Sequence, residues 1–107
     1  MEHKGKGSSK ELLKLKALSE EIRLNIISLL TTEPLCACDI LESFNITQPT
    51  LSYHMKLLTS SGLVVSKRKG KWIYYSLHEE EMDELIEYLK HISTNRSLPL
   101  VKSCSNC

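Results

Sequence analysis

The middle of the chain constrains the fold most, because two short helical segments there are separated by only a few residues. The spacing of apolar residues predicts one helix over Cys36–Phe44 and a second over Gln48–Ser61. Thr47 is placed to cap the second helix, and Pro49 suits its first turn, where a missing N–H does no harm. Gly62 ends that helix. Two short helices joined by a tight turn form a helix-turn-helix unit.

Two segments rich in β-branched and aromatic residues follow this unit, Leu63–Lys67 and Trp72–Leu77. The connection Arg68–Lys71 contains a glycine and three basic residues, so the pattern predicts a β-hairpin with a basic tip. A hairpin in this position forms the wing of a winged helix-turn-helix.

Three further helices are predicted around this centre. Lys10–Leu18 forms the first, Glu20–Leu30 follows with Ser19 as its cap, and the last helix begins in an acidic segment that complements the helix dipole. The apolar positions are Leu12, Leu13 and Leu15 in the first helix and Met82, Leu85, Ile86, Leu89 and Ile92 in the last. The predicted fold is mainly α with a small β-hairpin, a winged helix-turn-helix in the order α-α-α-α-β-β-α.

The length of 107 residues fits a single domain. We expect a flexible arm at residues 1–9, a winged helix-turn-helix domain at 10–93, and a flexible cysteine-containing tail at 94–107. No apolar run approaches the ~20 residues of a membrane helix, and the charged N-terminus lacks the apolar stretch of a signal peptide. The sequence therefore predicts a cytoplasmic protein with no membrane partner, whose four cysteines are reduced thiols or ligands rather than disulfides.

Charge is strongly segregated along the chain. Ser43–His78 contains five Lys and Arg residues and no acid, whereas Glu79–Glu87 contains six acids and no base. The basic stretch suits a phosphate backbone, although a merely solvated charged face is the alternative. Gln can pair with adenine, Ser and Thr can contact bases or phosphates, and Lys binds phosphates. The candidate DNA-binding residues are Gln48, Thr50, Ser52, Tyr53, Lys56, Lys67, Arg68, Lys69 and Lys71.

Cys36 and Cys38 form a Cys-x-Cys pair at the predicted start of a helix. Thiolates favour soft, thiophilic ions, and a thiol at a helix N-terminus should have a lowered pKa. Residues two apart on a regular helix do not face each other, so an ion that takes both thiols would distort the first turn. Because this helix supports the next one, such a distortion would reposition the DNA-reading face. The alternative is a pair of buried, inert thiols.

Several segments resemble the ArsR family of metal-responsive repressors. Ser19–Leu30 looks like the second helix of that family, Thr47–Leu58 like its recognition helix and Val65–Leu77 like its wing. Leu35–Ile40 resembles the arsenite-sensing motif of the arsenical-resistance repressors. The resemblance implies a homodimer bound to double-stranded operator DNA and joined through its first and last helices. It also implies arsenite or antimonite as the inducer, bound by the two thiols of the motif.

The sequence does not decide which group supplies the third ligand of the inducer. Some family members place a third cysteine where this chain has Leu41, so the third ligand could be Cys104 or Cys107, an exogenous thiol or water. Zinc sensors of the family use the last helices, but a site at His78 and His91 is disfavoured because the later histidine position holds an isoleucine.

Two alternatives to an arsenic-responsive repressor are kept. The same fold could sense cadmium, lead, bismuth or thiol oxidation. A small thiol-redox enzyme that uses the C-terminal Cys-x-x-Cys is disfavoured, because a redox motif of that kind belongs near a βαβ unit and no strand precedes this one.

Overall fold

The computed structural model describes residues 2–95 and has the predicted winged helix-turn-helix architecture. None of the helices within these residues is both long enough and apolar enough to cross a membrane. The elements are α1 (Glu2–Leu18), α2 (Glu21–Leu30), β1 (Leu35–Cys36), α3 (Ala37–Glu42), α4 (Gln48–Ser60), β2 (Val64–Lys69), β3 (Trp72–Leu77) and α5 (Glu79–Asn95).

The sheet has three antiparallel strands in the order β1-β3-β2. The hairpin pairs Val64 with Leu77 at its base and Lys69 with Trp72 at its tip. Gly70 has a φ of 65° at the first position of the two-residue turn, where such hairpins favour glycine. The sequence did not predict β1, because a strand of two residues is too short to show an alternating pattern.

The recognition-type helix α4 is anchored as predicted. Thr47 is its N-cap, and Leu51, Met55 and Leu58 are buried in the core. The chain leaves α4 through Gly62, whose φ of 91° is one that other residues rarely adopt. The rest of the core consists of Ala17, Ile26, Ile27, Leu30, Ile40, Leu63 and Val64.

Several predicted boundaries differ from the structure. Helix α1 begins at Glu2 instead of the predicted Lys10, because each residue added to a nucleated helix gains a hydrogen bond, which offsets the cost of two glycines. Glu20 caps α2 instead of Ser19, since its carboxylate accepts a hydrogen bond from the Arg23 N–H at 3.0 Å. Helix α5 continues to Asn95, two residues past the predicted domain end at residue 93, and the rest of the predicted tail lies outside the described residues. Cys104 and Cys107 lie outside the described residues.

Helix α1 buries two charged residues, Glu11 and Lys14, and exposes Leu12, Leu13 and Leu15. Leu12 and Leu13 are 51% and 53% exposed, whereas the Lys14 side chain is fully buried. The Lys14 Nζ donates to the Glu81 carbonyl at 2.8 Å and lies 2.8 Å from the Glu81 carboxylate. These contacts join α1 to α5, and they replace the leucine packing that the sequence pattern predicted.

Candidate nucleic-acid interface and thiol site

The outer face of α4 presents every candidate side chain that the sequence placed on it. Gln48, Thr50, Ser52, Tyr53 and Lys56 are all exposed. The helix turns this face outward because its apolar residues fill the core on the opposite side. The face offers amide, hydroxyl and ammonium groups of the kinds that contact bases and phosphates.

The hairpin carries the remaining candidates on its exposed surface. Lys67, Arg68, Lys69 and Lys71 are all exposed, and Lys71 lies in the two-residue turn that directly follows Lys69. The Lys69 Nζ lies 5.8 Å from the centre of the Tyr74 ring, and the Lys71 Nζ lies 5.9 Å from that of Trp72. These rings hold two of the cations close to β3, while their charges stay open to solvent.

A cleft of about 340 Å³ separates the helix-turn-helix unit from the hairpin. Its walls come from α3, α4 and β3, and they include Cys38, Leu41, Gln48, Ser52, Lys71 and Trp72. Candidate residues from α4 and from the wing therefore border one depression, which the exposed thiol of Cys38 also lines.

A buried polar contact beneath α4 was missed by the sequence analysis. The Arg23 Nη1 lies 2.9 Å from Nδ1 of His54, and the Arg23 Nε donates to the Ala17 carbonyl at 2.6 Å. Both side chains are buried. The arginine thus ties the end of α1 and the inner face of α4 together. His54 follows Leu51 by three residues, so the helical spacing could have placed it on the inner face.

The two thiols of Cys36 and Cys38 already face each other, with 2.8 Å between their Sγ atoms. Cys36 is the N-cap of α3, with an extended backbone at φ −82° and ψ 163°, so it precedes the regular helix. The premise that both residues lie on a regular helix and face apart is therefore wrong, because Cys36 precedes the first turn of α3. Cys36 is buried and Cys38 is exposed, which leaves the pair open to solvent on one side.

The predicted fall in the pKa of Cys36 is wrong. The neighbouring thiol of Cys38 raises the pKa of Cys36 above its ordinary value, and burial and the Asp39 carboxylate act in the same direction. The backbone N–H of Asp39 opposes them, but the Cys36 side chain makes no capping hydrogen bond to α3. The contact with the Cys38 thiol thus raises the pKa of Cys36 by more than the helix N-terminus lowers it.

Asp39 is the third potential ligand at this place. One donor atom each from Cys36, Cys38 and Asp39 lie within 4.8 Å of one another. Within the described residues, no second group of three cysteine, histidine or acidic ligands is so close together, and this includes the surroundings of His78 and His91.

Comparison with known proteins places the chain in a family. The family model described as bacterial regulatory protein, arsR family, matches residues 20–66. The arsenical resistance operon repressor of Staphylococcus aureus is 42% identical over 89 residues, which are 83% of this chain and 86% of that protein. The chain belongs to the ArsR family.

Solved structures agree with this assignment. HlyU from Vibrio cholerae is 30% identical and superposes with a TM-score of 0.68, covering 86% of this chain and 97% of that one. A homodimeric winged helix-turn-helix DNA-binding domain from Mycobacterium bovis, 24% identical, has the same fold at a TM-score of 0.72 and covers 90% of this chain and 89% of that one. The relatives and the fold of this ArsR-family chain are those of a DNA-binding transcriptional regulator, not of a thiol-redox enzyme.

Proposed function

We propose that this chain is a transcriptional repressor that binds double-stranded operator DNA as a homodimer in the cytoplasm. In this proposal, trivalent arsenic or antimony binds Cys36 and Cys38 and releases the DNA. The observation that carries the proposal is the thiol pair. The Sγ atoms of Cys36 and Cys38 are 2.8 Å apart, and Cys36 belongs to β1, which pairs with β3 of the wing. The S. aureus relative is an arsenical resistance operon repressor, which supports the same assignment.

DNA binding rests on the joint surface of α4 and the hairpin. Exposed residues of α4 offer base-contacting groups, and the cations of the hairpin lie on the other side of the shared cleft. A recognition helix in the major groove, with a basic wing against the backbone, uses both sets of residues.

Dimer formation rests on apolar side chains that the single chain leaves uncovered. On α5, Ile86, Leu89 and Ile92 are 47%, 43% and 48% exposed, and the leucines of α1 are similarly exposed. Covering such a patch with a second copy gains hydrophobic free energy of about 25 cal/mol per Å². The Mycobacterium bovis domain of the same fold is homodimeric, which supports this arrangement.

The chemistry of induction needs no oxidant or cofactor. Arsenite is As(OH)₃ near neutral pH, and each thiol that attacks it forms one As–S bond. The thiol proton leaves with one hydroxide as water, so two thiols give two As–S bonds and two waters. Soft thiolate ligands favour such an ion over hard cations.

The route from the thiols to the DNA surface follows from the position of Cys36. Its backbone pairs with Tyr74 in β3, whereas Cys38 lies in the first turn of α3. An ion bonded to both sulfurs therefore links the wing sheet to the helix that precedes α4. A change in the spacing of the sulfurs would move these two elements relative to each other, and a typical coupling of this kind is about 1–3 kcal/mol.

The test is fluorescence anisotropy with the reduced full chain and a labelled fragment from upstream of its own coding sequence. We expect arsenite to weaken binding by about 5- to 150-fold, and Cys36→Ser or Cys38→Ser to remain bound at the same arsenite concentration. The double variant Cys104→Ser/Cys107→Ser tests whether the tail contributes a ligand. Absence of binding to any upstream fragment at low salt, or normal release of the Cys36→Ser variant, would contradict the proposal.

The wing contacts can be tested separately through salt dependence. Lys69→Gln should lower the slope of log affinity against log salt by about 0.9, because each neutralised phosphate releases counterions. Lys90→Gln on α5 makes the same charge change outside the proposed DNA surface and should leave the slope unchanged.

A further inference from the structure

The face of the wing that points away from the core carries two aromatic rings. Side chains alternate between the two faces of a strand, and Tyr75 and Leu77 of β3 pack against the core. Trp72 and Tyr74 therefore lie on the opposite face. The Trp72 side chain is 49% exposed, and that of Tyr74 is partly exposed. The wing thus presents both rings to solvent.

Two lysines of β2 share this outer face with the rings. Lys67 is paired with Tyr74 in the register of the hairpin, and directly paired residues project to the same side. Lys69 is paired with Trp72 in the same way, and its Nζ lies 5.8 Å from the centre of the Tyr74 ring. Among the described residues, neither lysine belongs to an ion pair, and no acid occurs in Ser43–His78. The rings are therefore surrounded by positive charge that no nearby acid neutralises.

The spacing of the two rings suits unstacked bases. Same-face neighbours on a strand are about 7 Å apart, which is twice the rise of about 3.4 Å between stacked bases. Each ring therefore has room for a base of its own. In a duplex the faces of the bases are covered by their neighbours, whereas a single strand can offer them to a protein. Exposed aromatic residues beside cations that follow the phosphate backbone are a general means of binding single strands.

We propose that the outer face of the wing binds single-stranded nucleic acid. In this arrangement Trp72 and Tyr74 stack on successive bases, and Lys67 and Lys69 contact the phosphates. The site goes beyond the proposed function, which uses the wing only against the backbone of duplex DNA. Because the two lysines serve both ligands, a bound single strand competes with the operator duplex for the wing.

A simpler role for the rings is to hold the lysines in place for duplex DNA through cation–π contacts. That role includes no stacking on bases, so charge alone would decide the affinity for a single strand. A strand that keeps its phosphates but lacks its bases therefore distinguishes the two roles.

Trp72 is the only tryptophan of the chain, so its fluorescence reports directly on this face. The reduced full chain is titrated with oligo(U) RNA, oligo(dT) DNA and abasic DNA, each of about 12 nucleotides, a length within the range of known single-strand sites. We expect both base-bearing strands to quench the emission. The abasic strand should bind at least about 10-fold more weakly and leave the emission unchanged. Tighter binding of oligo(U) would identify RNA as the preferred ligand, and tighter binding of oligo(dT) would identify DNA.

The contribution of stacking is measured with variants and a labelled oligo(dT) strand, by anisotropy. Trp72→Leu should weaken binding by about 5- to 150-fold, which is the effect of losing one base–aromatic stack. Trp72→Phe keeps an aromatic ring and should recover most of that loss. Tyr53→Leu is the matched control, because it removes an exposed ring from α4, outside the wing, and it should leave the single-strand affinity unchanged.

Equal affinity for abasic DNA and oligo(dT) would overturn the inference. So would unchanged oligo(dT) affinity of a Trp72→Leu variant that thermal unfolding shows to be folded. Absence of duplex binding by the wild-type chain would instead count against the proposed function, and it would leave the single-strand result in place.

Discussion

Helices α1 and α4 pack against the same core in opposite ways. Helix α4 buries Leu51, Met55 and Leu58 and turns its polar residues outward. Helix α1 turns its leucines outward and buries Lys14, whose charge is met by Glu81 of α5. The first arrangement is complete within one chain, whereas the second leaves apolar surface that a single chain does not cover.

Helix α5 shares this property with α1. Leu85 is buried, but three other members of its apolar stripe are about half exposed. The described residues thus form two faces of different chemistry. One face carries cations and hydrogen-bonding groups, and the other carries the leucines and isoleucines that the proposed dimer would cover.

The largest expected effect comes from breaking the apolar face. Leu89→Glu places a charge where the proposed dimer buries a leucine in each protomer. Loss of about 1.5–3 kcal/mol per leucine, counted twice by the twofold symmetry, should raise the dimer dissociation constant by more than about 100-fold. Sedimentation equilibrium measures the mass, and operator affinity should fall with it. Val65→Glu, an exposed apolar position on β2, is the control and should leave the mass unchanged.

An intermediate effect is expected from removing the buried contact between Arg23 and His54 beneath α4. His54→Leu leaves the buried Arg23 Nη1 without its acceptor, which should lower the free energy of unfolding by about 1–3 kcal/mol at fixed protein concentration. His54→Asn offers an amide oxygen near the position of Nδ1 and should be milder. Urea denaturation measures both variants. Equal stability of His54→Leu and the wild type would show that the contact does not support α4.

The smallest effect concerns the charged contact between α1 and α5. The hydrogen bond from Lys14 lowers the pKa of Glu81 below its ordinary value of 4.5. A lowered pKa in the folded state means that the contact contributes stability above the ordinary value and loses it as pH falls through the folded-state pKa. Glu81→Gln should therefore melt below the wild type at pH 7, and the difference in Tm should shrink as pH falls below 4.5.

Glu87→Gln, which removes an exposed acid of α5 paired with Lys90, is the control for that titration. Its Tm difference from the wild type should be smaller at pH 7. If the Tm difference between Glu81→Gln and the wild type stays constant or grows as pH falls, Lys14 does not lower the pKa of Glu81 as assigned here.

Sequence analysis predicted the order of the elements and the outward face of α4, because caps, glycines and helical spacing are local features. It did not predict β1, which exists only through its pairing with β3. Nor did it predict that Lys14 is buried, since the burial of this charge depends on its contact with Glu81, which lies 67 positions away in the sequence. The mutual approach of Cys36 and Cys38 was missed for a related reason, because their geometry depends on where α3 begins.

Under the proposed function, the pairing of Cys36 with Tyr74 also limits how the response of this protein can be redesigned. In that proposal, the backbone of Cys36 pairs with β3 while its side chain binds the inducer. Moving the thiols to another helix would keep the affinity for the ion but remove its mechanical link to the wing. An engineered variant with new ligand preference should therefore keep residue 36 in place and vary the groups around it.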